Sequence, residues 1–220
     1  MTSGIKIIIT CLCGSMLTGC VTAPTKKDYT ELRTEQPRSI LVVPAINKSV
    51  EVNAPDYFLS TISRPLAERG YYVFPVHLVK RLMEDDGLSD ADMVHASDPQ
   101  RLGKVFGSDA IMYVSIERWD AKYIVLSTIV TVELKYVLKS ATTGSTLWEN
   151  SQKLVYEPQN NAGGGLAGLI AQALVAALTK AAPNYVPLAQ QANGMAIYMK
   201  GQGLPAGPYD PQYQKDKEAF

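Results

Sequence analysis

The sequence predicts a single α/β domain of the three-layer type, in which helices flank a central mixed sheet. Two patterns support this prediction. Residues 39–116 alternate short apolar runs with stretches of helical periodicity, which is the order expected of strands that pair beneath helices. Residues 122–156 instead place apolar and polar side chains at alternate positions, which is typical of an antiparallel strand pair with one face in water.

The first predicted strand is the β-branched run at residues 39–44, whose continuous apolar character suits burial on both faces. A helix is predicted to follow, because Pro55 suits a first helical turn and Gly70 suits the left-handed residue that ends a helix. Pro65 lies inside this helix and removes one backbone hydrogen bond, so we expect a kink there. A second strand is predicted at residues 71–76.

Two shorter helices are predicted next, at residues 77–84 and 98–106. The second has clear boundaries, because Asp98 is a favoured N-cap residue, Pro99 suits the first helical position and Gly107 suits the end. A third strand is predicted at residues 110–116.

The clearest period-2 alternation begins at Lys122 and predicts one long strand over residues 122–139. A turn near Gly144 and a returning strand at residues 146–156 complete an antiparallel hairpin. On the polar side of the long strand lie Ser127, Thr131, Glu133, Lys135 and Lys139. Long strands with a polar face belong at or near a sheet edge, where another chain can pair with them.

An uncharged segment at residues 166–178 follows a run of three glycines. Its 13 residues are too few to span a bilayer. Two interpretations stay open: a helix packed on the sheet, or a contact with a second subunit or a membrane surface, since small residues permit close helix approach. The candidate interface residues are Leu166, Leu169, Ile170, Leu174 and Leu178.

The N-terminus has the layout of a bacterial export signal, with Lys6 before an apolar run. A transmembrane helix over residues 5–18 is the alternative, but about 14 residues are fewer than the roughly 20 that cross a bilayer. Leu17-Thr18-Gly19-Cys20 resembles the lipobox of bacterial lipoproteins. This resemblance implies cleavage between Gly19 and Cys20, with a diacylglycerol group and an N-acyl chain attached covalently to Cys20. The residue after the cysteine is Val21, whereas lipoproteins that stay in the inner membrane carry Asp at this position. This difference favours the outer membrane and its periplasmic face, with surface exposure as the alternative.

The chain is therefore predicted to divide into a signal peptide (1–19), a tether (20–38), an α/β domain (39–200) and a flexible tail (201–220) that is rich in Gly, Pro, Gln and Lys. The extended tether would reach roughly 60 Å. Loss of the signal leaves one more acidic than basic residue, so bulk charge does not favour nucleic acid as a partner.

No motif predicts catalysis or metal binding. The three cysteines lie in or directly after the signal, which leaves neither a disulfide nor a thiol nucleophile. His77 and His95 lack metal-ligand spacing, so a surface or helix-cap position is expected for each. The glycine run lacks the Lys-Ser/Thr end of a phosphate loop, and no Gly-x-Ser-x-Gly elbow occurs. We therefore predict no enzyme, no metal and no cofactor beyond the acyl chains on Cys20.

Three segments carry a family resemblance: residues 54–60 (APDYFLS), 64–76 (RPLAERGYYVFPV) and 113–120 (YVSIERWD). Over residues 15–200 the chain resembles a family of bacterial lipoproteins known from a neisserial vaccine-candidate antigen. The resemblance implies a domain similar to the N-terminal domain of TolB and to the periplasmic parts of CsgG and of penicillin-binding-protein activators. It also implies a homodimer and a CsgG-like envelope partner, and it brings no catalytic residues.

These observations favour a non-enzymatic outer-membrane lipoprotein that serves a secretion or envelope complex through protein contacts. One alternative is a pore-forming, CsgG-like secretion lipoprotein, for which residues 122–156 would have to enter the membrane. The other is an activator of a cell-wall synthase. A shared fold does not choose among these roles.

Overall fold

A mixed six-stranded sheet runs through the middle of the molecule in this computed structural model, which describes residues 27–124, 127–156 and 184–220. The elements, in chain order, are α1 (Thr30–Glu35), β1 (Ser39–Val42), β2 (Ile46–Asn47), α2 (Ala54–Glu68), β3 (Tyr72–Val73), α3 (Val76–Asp85), α4 (Ala91–Ala96), α5 (Pro99–Phe106), β4 (Ala110–Ile124), β5 (Ser127–Ser140), β6 (Thr146–Tyr156) and α6 (Val186–Tyr198). None of the described helices combines the length and the apolar character needed to cross a membrane.

The strand order is β3-β1-β4-β5-β6, with β2 also paired to β4. The strands β3, β1 and β4 run parallel, and Ile40 of β1 pairs with Val73 on one side and Ala110 on the other. The strands β4, β5 and β6 form an antiparallel meander. The predicted α/β domain with a central mixed sheet is confirmed.

Each face of the sheet contributes to its own core. The larger core joins α2 and α6 to the even-numbered side chains of β5, which are Val130, Val132, Leu134, Tyr136 and Leu138. The smaller core joins α3, α4 and α5 to the opposite face near β1 and the start of β4, with Leu41, Val43, Ile111, Val79, Met83, Val94 and Leu102 as its main members. The helices α3 to α5 thus cover only part of this face of the sheet. Polar positions further along β4, β5 and β6 stay accessible.

Local signals identified α5 correctly. The Asp98 carboxylate accepts a hydrogen bond from the backbone N–H of Gln100, and Pro99 begins the helix. Gly107 ends it with a positive φ of 70°. Because all of these contacts lie within one helix, the sequence alone contained the necessary information.

The prediction of one strand over residues 122–139 is wrong. The structure has a hairpin instead, in which β4 continues to Ile124 and β5 begins at Ser127, with these two residues paired. The predicted third strand is correspondingly longer than residues 110–116. The connection contains no Gly, Pro or Asn, and the period-2 pattern continues through it, so the sequence shows no sign of the turn.

The predicted flexible tail at residues 201–220 is also wrong. Leu204 and Phe220 are buried, and the hydroxyl of Tyr71 donates to the carbonyl of Pro205 at 3.0 Å. The backbone passes so close to Gly70 that a Cβ there would lie 2.3 Å from the nitrogen of Asp210. We call residues 201–220 the C-terminal strap. Its composition suggested mobility, but contacts with distant residues hold it in place.

The second half of the predicted tether belongs to the domain. Tyr29 and Leu32 are buried, and the hydroxyl of Tyr29 donates to the carbonyl of Gly203 at 2.8 Å. The backbone N–H of Lys27 donates to the carbonyl of Gly201 at 3.2 Å. Residues 27–35 and the C-terminal strap are therefore both part of the folded domain, since they contact each other.

Candidate functional site

The site residues predicted from sequence lie outside the described residues. This holds for Gly19 and Cys20, the predicted cleavage and lipid site, and for the possible interface at Leu166, Leu169, Ile170, Leu174 and Leu178. The candidate site below therefore comes from other residues, within the described part of the domain.

One face of the β4–β5–β6 meander is largely polar and accessible. It lies beyond the region where α3, α4 and α5 pack, and its side chains are half-buried or exposed. We call it the wet sheet face, formed by Ser115, Glu117, Thr131, Glu133, Lys135, Val137, Lys139, Glu149, Ser151, Lys153 and Val155.

Part of the charge on this face is balanced across strands. Glu133 of β5 pairs in register with Arg118 of β4 on one side and Lys153 of β6 on the other. Opposite charges at such positions are stabilising. The register shifts between Ile116 and Arg118, which marks a bulge in β4 beside this row. Arg118 also forms an ion pair of 2.6 Å with Asp120.

A cleft of about 250 Å³ lies at one end of the wet sheet face. We call it the Tyr113 cleft. Four separate parts of the chain line it: the segment after β2, then α4, β4 and β5. The lining residues are Lys48, His95, Tyr113, Ser115, Glu117, Lys135, Val137 and Lys139.

The Tyr113 cleft carries an excess of positive charge. Lys48 pairs with the carboxylate of Glu117, with Nζ–O distances of 2.9 and 3.2 Å, so these two charges neutralise each other. Within the part of the chain that the structure describes, neither Lys135 nor Lys139 has a carboxylate oxygen within 4.0 Å of its Nζ. Lys139 Nζ lies 5.5 Å from the centroid of the Tyr113 ring, within the range of a cation–π contact.

His95 is half-buried, whereas the sequence predicts a surface or helix-cap position. Its Nε2 lies 2.9 Å from the carbonyl oxygen of Pro44, which only accepts hydrogen bonds, so Nε2 carries the proton. The ring meets Tyr113 edge to face at 5.1 Å. Burial lowers the pKa of His95, and the hydrogen bond to Pro44 opposes this effect.

Tyr113 lines the cleft with its side chain, and its hydroxyl is enclosed by the protein. Its side chain is 6% exposed, and the hydroxyl has no hydrogen-bond partner among residues 27–124, 127–156 and 184–220. Burial raises the pKa of Tyr113 to about 12, with a smaller contribution from the charge of Asp98, so the hydroxyl keeps its proton at neutral pH. The surface of the cleft thus combines the ammonium groups of Lys135 and Lys139 with the hydroxyl of Ser115.

This arrangement suits binding. The described residues contain no group of three or more His, Cys, Asp or Glu side chains that could hold a metal ion. Ammonium and hydroxyl groups donate hydrogen bonds, so the Tyr113 cleft can receive an electron-rich or anionic group.

Sequence reasoning found part of this surface. The period-2 pattern placed Glu133, Lys135 and Lys139 on a polar strand face, as the structure does. It missed Lys48 and Tyr113, which lie far away in the chain. The same alternation, continued along β4, would have put Tyr113 and Ser115 on one face of that strand. Nothing in the local sequence indicated that β4 pairs with β5 there, or that α4 lies beside this face.

The comparisons with known proteins agree with the fold. The matching family is described as "Putative lipoprotein GNA1162-like" and spans residues 27–209. A relative from Neisseria meningitidis serogroup B, "Putative lipoprotein NMB1124/NMB1162", is 37% identical over 148 residues, which are 67% of this chain and 68% of the relative.

Solved structures give the same result. The crystal structure of lipoprotein GNA1162 from Neisseria meningitidis is 36% identical to this chain, with a TM-score of 0.55 and coverage of 64% of this chain and 96% of that one. A PelC dodecamer from Paraburkholderia phytofirmans is 15% identical with a TM-score of 0.41, over 70% of this chain and 88% of that one, a likeness too weak to bear on function. The family match and the neisserial structure agree, and the chain belongs to the GNA1162-like family of lipoproteins.

Proposed function

We propose that this protein is a non-enzymatic outer-membrane lipoprotein that faces the periplasm and serves a secretion or envelope complex through protein–protein contacts. Acyl chains on Cys20 anchor it, and a CsgG-like envelope protein is the first candidate partner. Membership of a lipoprotein family supports the anchor, and so does the Leu-Thr-Gly-Cys sequence that ends at Cys20. The resemblance of the chain to its family supports the choice of partner.

The wet sheet face is the observation that favours protein contacts. Three paired strands hold its side chains in fixed positions, so a partner meets a preorganised surface. Charges of both signs alternate on it, and apolar Val155 is 45% exposed at its outer strand. Interfaces between proteins that also exist separately are about as polar as ordinary protein surface, so this composition suits a reversible contact.

The pore-forming alternative fits the packing poorly. A pore would require residues 122–156 to leave the domain. The inward side chains of β6, which include Leu147, Trp148, Leu154 and Tyr156, lie in the larger core with those of β5. Moving both strands into a membrane would expose this core to water, at a cost far above the stability of a typical domain.

Photo-crosslinking in living cells tests the proposed contact. A photoreactive residue is placed at Ser151 or Lys153, both exposed on the wet sheet face, in the full-length protein. The control position is Arg81 on α3, whose side chain is 71% exposed. We expect the wet-face positions to crosslink to one envelope protein, identified by mass spectrometry, and Arg81 not to do so. Equal crosslinking from all three positions would contradict the proposal.

The identity of the captured protein separates the possible roles. A CsgG-like protein supports the secretion role, whereas a cell-wall synthase supports the activator role. The anchor is tested by Cys20→Ser. We expect this variant to lose the acyl mass seen by mass spectrometry and to leave the membrane fraction. An unmodified Cys20 in the wild-type protein would contradict anchoring at this position.

A further inference from the structure

We propose that the Tyr113 cleft binds a side-chain carboxylate, Asp or Glu, of the partner protein. This inference rests on the proposed function, because it assigns one recognition element to the wet sheet face. Nothing else about the partner is needed for the argument, which follows from the charge, the size and the donors of the cleft.

The charge of the cleft calls for an anion. Val137 lies between Lys135 and Lys139 on the same side of β5. The two lysines therefore flank the part of the cleft that this strand lines. The single lining carboxylate, Glu117, is already paired with Lys48 at 2.9 Å. An acidic group bound beside the two lysines would neutralise this excess positive charge.

The cleft also provides a neutral donor. Ser115 lies in the lining, and its hydroxyl can donate to one oxygen of a bound carboxylate while the charge of that carboxylate contacts the lysines. The Tyr113 hydroxyl is enclosed by the protein, so Tyr113 contributes its ring to the cleft.

The size of the cleft favours a single side chain. Its volume of about 250 Å³ is below the range of roughly 300–1,000 Å³ that is usual for small-molecule sites. A carboxylate on a short stem fits this space, and the rest of a protein partner would lie on the adjoining wet sheet face. The lining contains no arginine, whereas phosphate sites commonly use bidentate guanidinium groups or loops of backbone N–H donors.

Peptide binding tests the assignment. The full-length lipidated protein in detergent is titrated with a synthetic peptide that has adjacent glutamates and blocked ends, and with its glutamine counterpart. We expect binding of the glutamate peptide only, weakened roughly tenfold by the double substitution Lys135→Gln and Lys139→Gln. The matched control, Lys104→Gln with Lys200→Gln, removes the same charge from exposed positions outside both the cleft and the wet sheet face and is expected to bind as the wild type does.

Ser115→Ala separates hydrogen bonding from bulk charge. We expect this variant to bind the glutamate peptide several-fold more weakly while keeping the charge of the cleft. Inorganic phosphate and vesicles containing phosphatidylglycerol are titrated in parallel. Tighter binding of either probe than of the glutamate peptide, lost in the cleft double variant, would overturn the carboxylate assignment.

Two other results would also overturn it: equal binding of both peptides, or equal loss in the cleft and control double variants. If no peptide binding occurs but crosslinks from Ser151 and Lys153 persist, the cleft assignment fails and the protein-contact role stands. Loss of the crosslinks themselves would instead contradict the proposed function.

Discussion

Arg69 and Asp216 form a largely buried ion pair, with 3.2 Å between the guanidinium Nη2 and the carboxylate Oδ2. Arg69 also donates from Nε to the carbonyl of Leu204 at 2.8 Å. The same oxygen of Asp216 accepts a hydrogen bond from the backbone N–H of Ala206 at 2.6 Å. The pair therefore fastens the C-terminal strap to the end of α2.

Asp216→Ala is expected to lower the free energy of unfolding by about 3 kcal/mol, because the largely buried charge of Arg69 would lose its carboxylate partner. Arg64→Ala is the control, since its ion pair with Glu68 is exposed and should contribute less than about 1 kcal/mol. Urea denaturation of the two variants measures the difference. Equal losses would show that the strap is not held by this pair.

Gly70→Ala is expected to displace the C-terminal strap. Gly70 has a φ of +77°, and an added Cβ would meet the backbone of Asp210 at 2.3 Å. Gly87 is a matched control, because its φ is +83° and nothing lies within 4 Å of an added Cβ. Gly87→Ala should cost about 1–2 kcal/mol from backbone strain alone.

The measurements are urea denaturation and limited proteolysis of residues 201–220. We expect Gly70→Ala to lose more stability than Gly87→Ala and to become cleavable within the strap. Similar stability and similar cleavage for both variants would contradict the close approach of the strap to Gly70.

Removing a tyrosine hydroxyl should lower the stability in the larger core but have little effect on it, or raise it, in the smaller core. The hydroxyl of Tyr136 donates to Oδ1 of Asn193 at 2.7 Å, and Asn193 in turn donates to Oγ1 of Thr61 at 2.8 Å. Tyr136→Phe should therefore cost about 1–3 kcal/mol, because a buried acceptor loses its donor. Tyr113→Phe removes a hydroxyl without a described partner and should change stability by less than about 0.5 kcal/mol or increase it. Chemical denaturation compares the two variants, and an equal cost would contradict the assigned hydrogen bonding.

His95 should make the protein less stable in mild acid. Burial lowers the pKa of His95 below its ordinary 6.5, although Asp92 on α4 raises it and Lys48 and Lys139 lower it further. The unfolded chain therefore binds this proton more readily, and the stability present above about pH 6.5 is lost as the pH falls through the folded pKa. His95→Gln should lose less stability than the wild type between about pH 7.5 and about pH 5.5 in urea denaturation. Identical losses would contradict the burial of this ring.

The parts of the fold that the sequence predicted correctly depend on neighbouring residues. Asp98, Pro99 and Gly107 define α5 through contacts within a few positions, and the alternation from Val130 to Leu138 defines the two faces of β5. Each signal is a local property of the chain, so one sequence is sufficient to read it.

The parts that were missed depend on distant residues. The hydroxyl of Tyr29 meets the carbonyl of Gly203, and Arg69 meets Asp216, so neither α1 nor the C-terminal strap has a local signature. The Tyr113 cleft has the same origin, since Lys48 and Lys139 come together only through the sheet. The segments of α1 and the C-terminal strap are rich in polar and small residues. Such a composition occurs both in mobile chain and in chain that a few long-range contacts hold in place, so it did not distinguish the two.

The packing of α1 against the domain also limits where a partner can be. If Cys20 is acylated, only residues 20–26 separate the lipid from Lys27, whose backbone is hydrogen-bonded to Gly201 and whose Nζ contacts the carbonyl of Glu149. Those residues can extend at most about 25 Å, less than half the reach of the tether predicted from sequence. Glu149 lies on the wet sheet face, so this surface stays close to the lipid headgroups. A protein that docks there would have to extend close to the membrane that holds the acyl chains, wherever its own anchor lies.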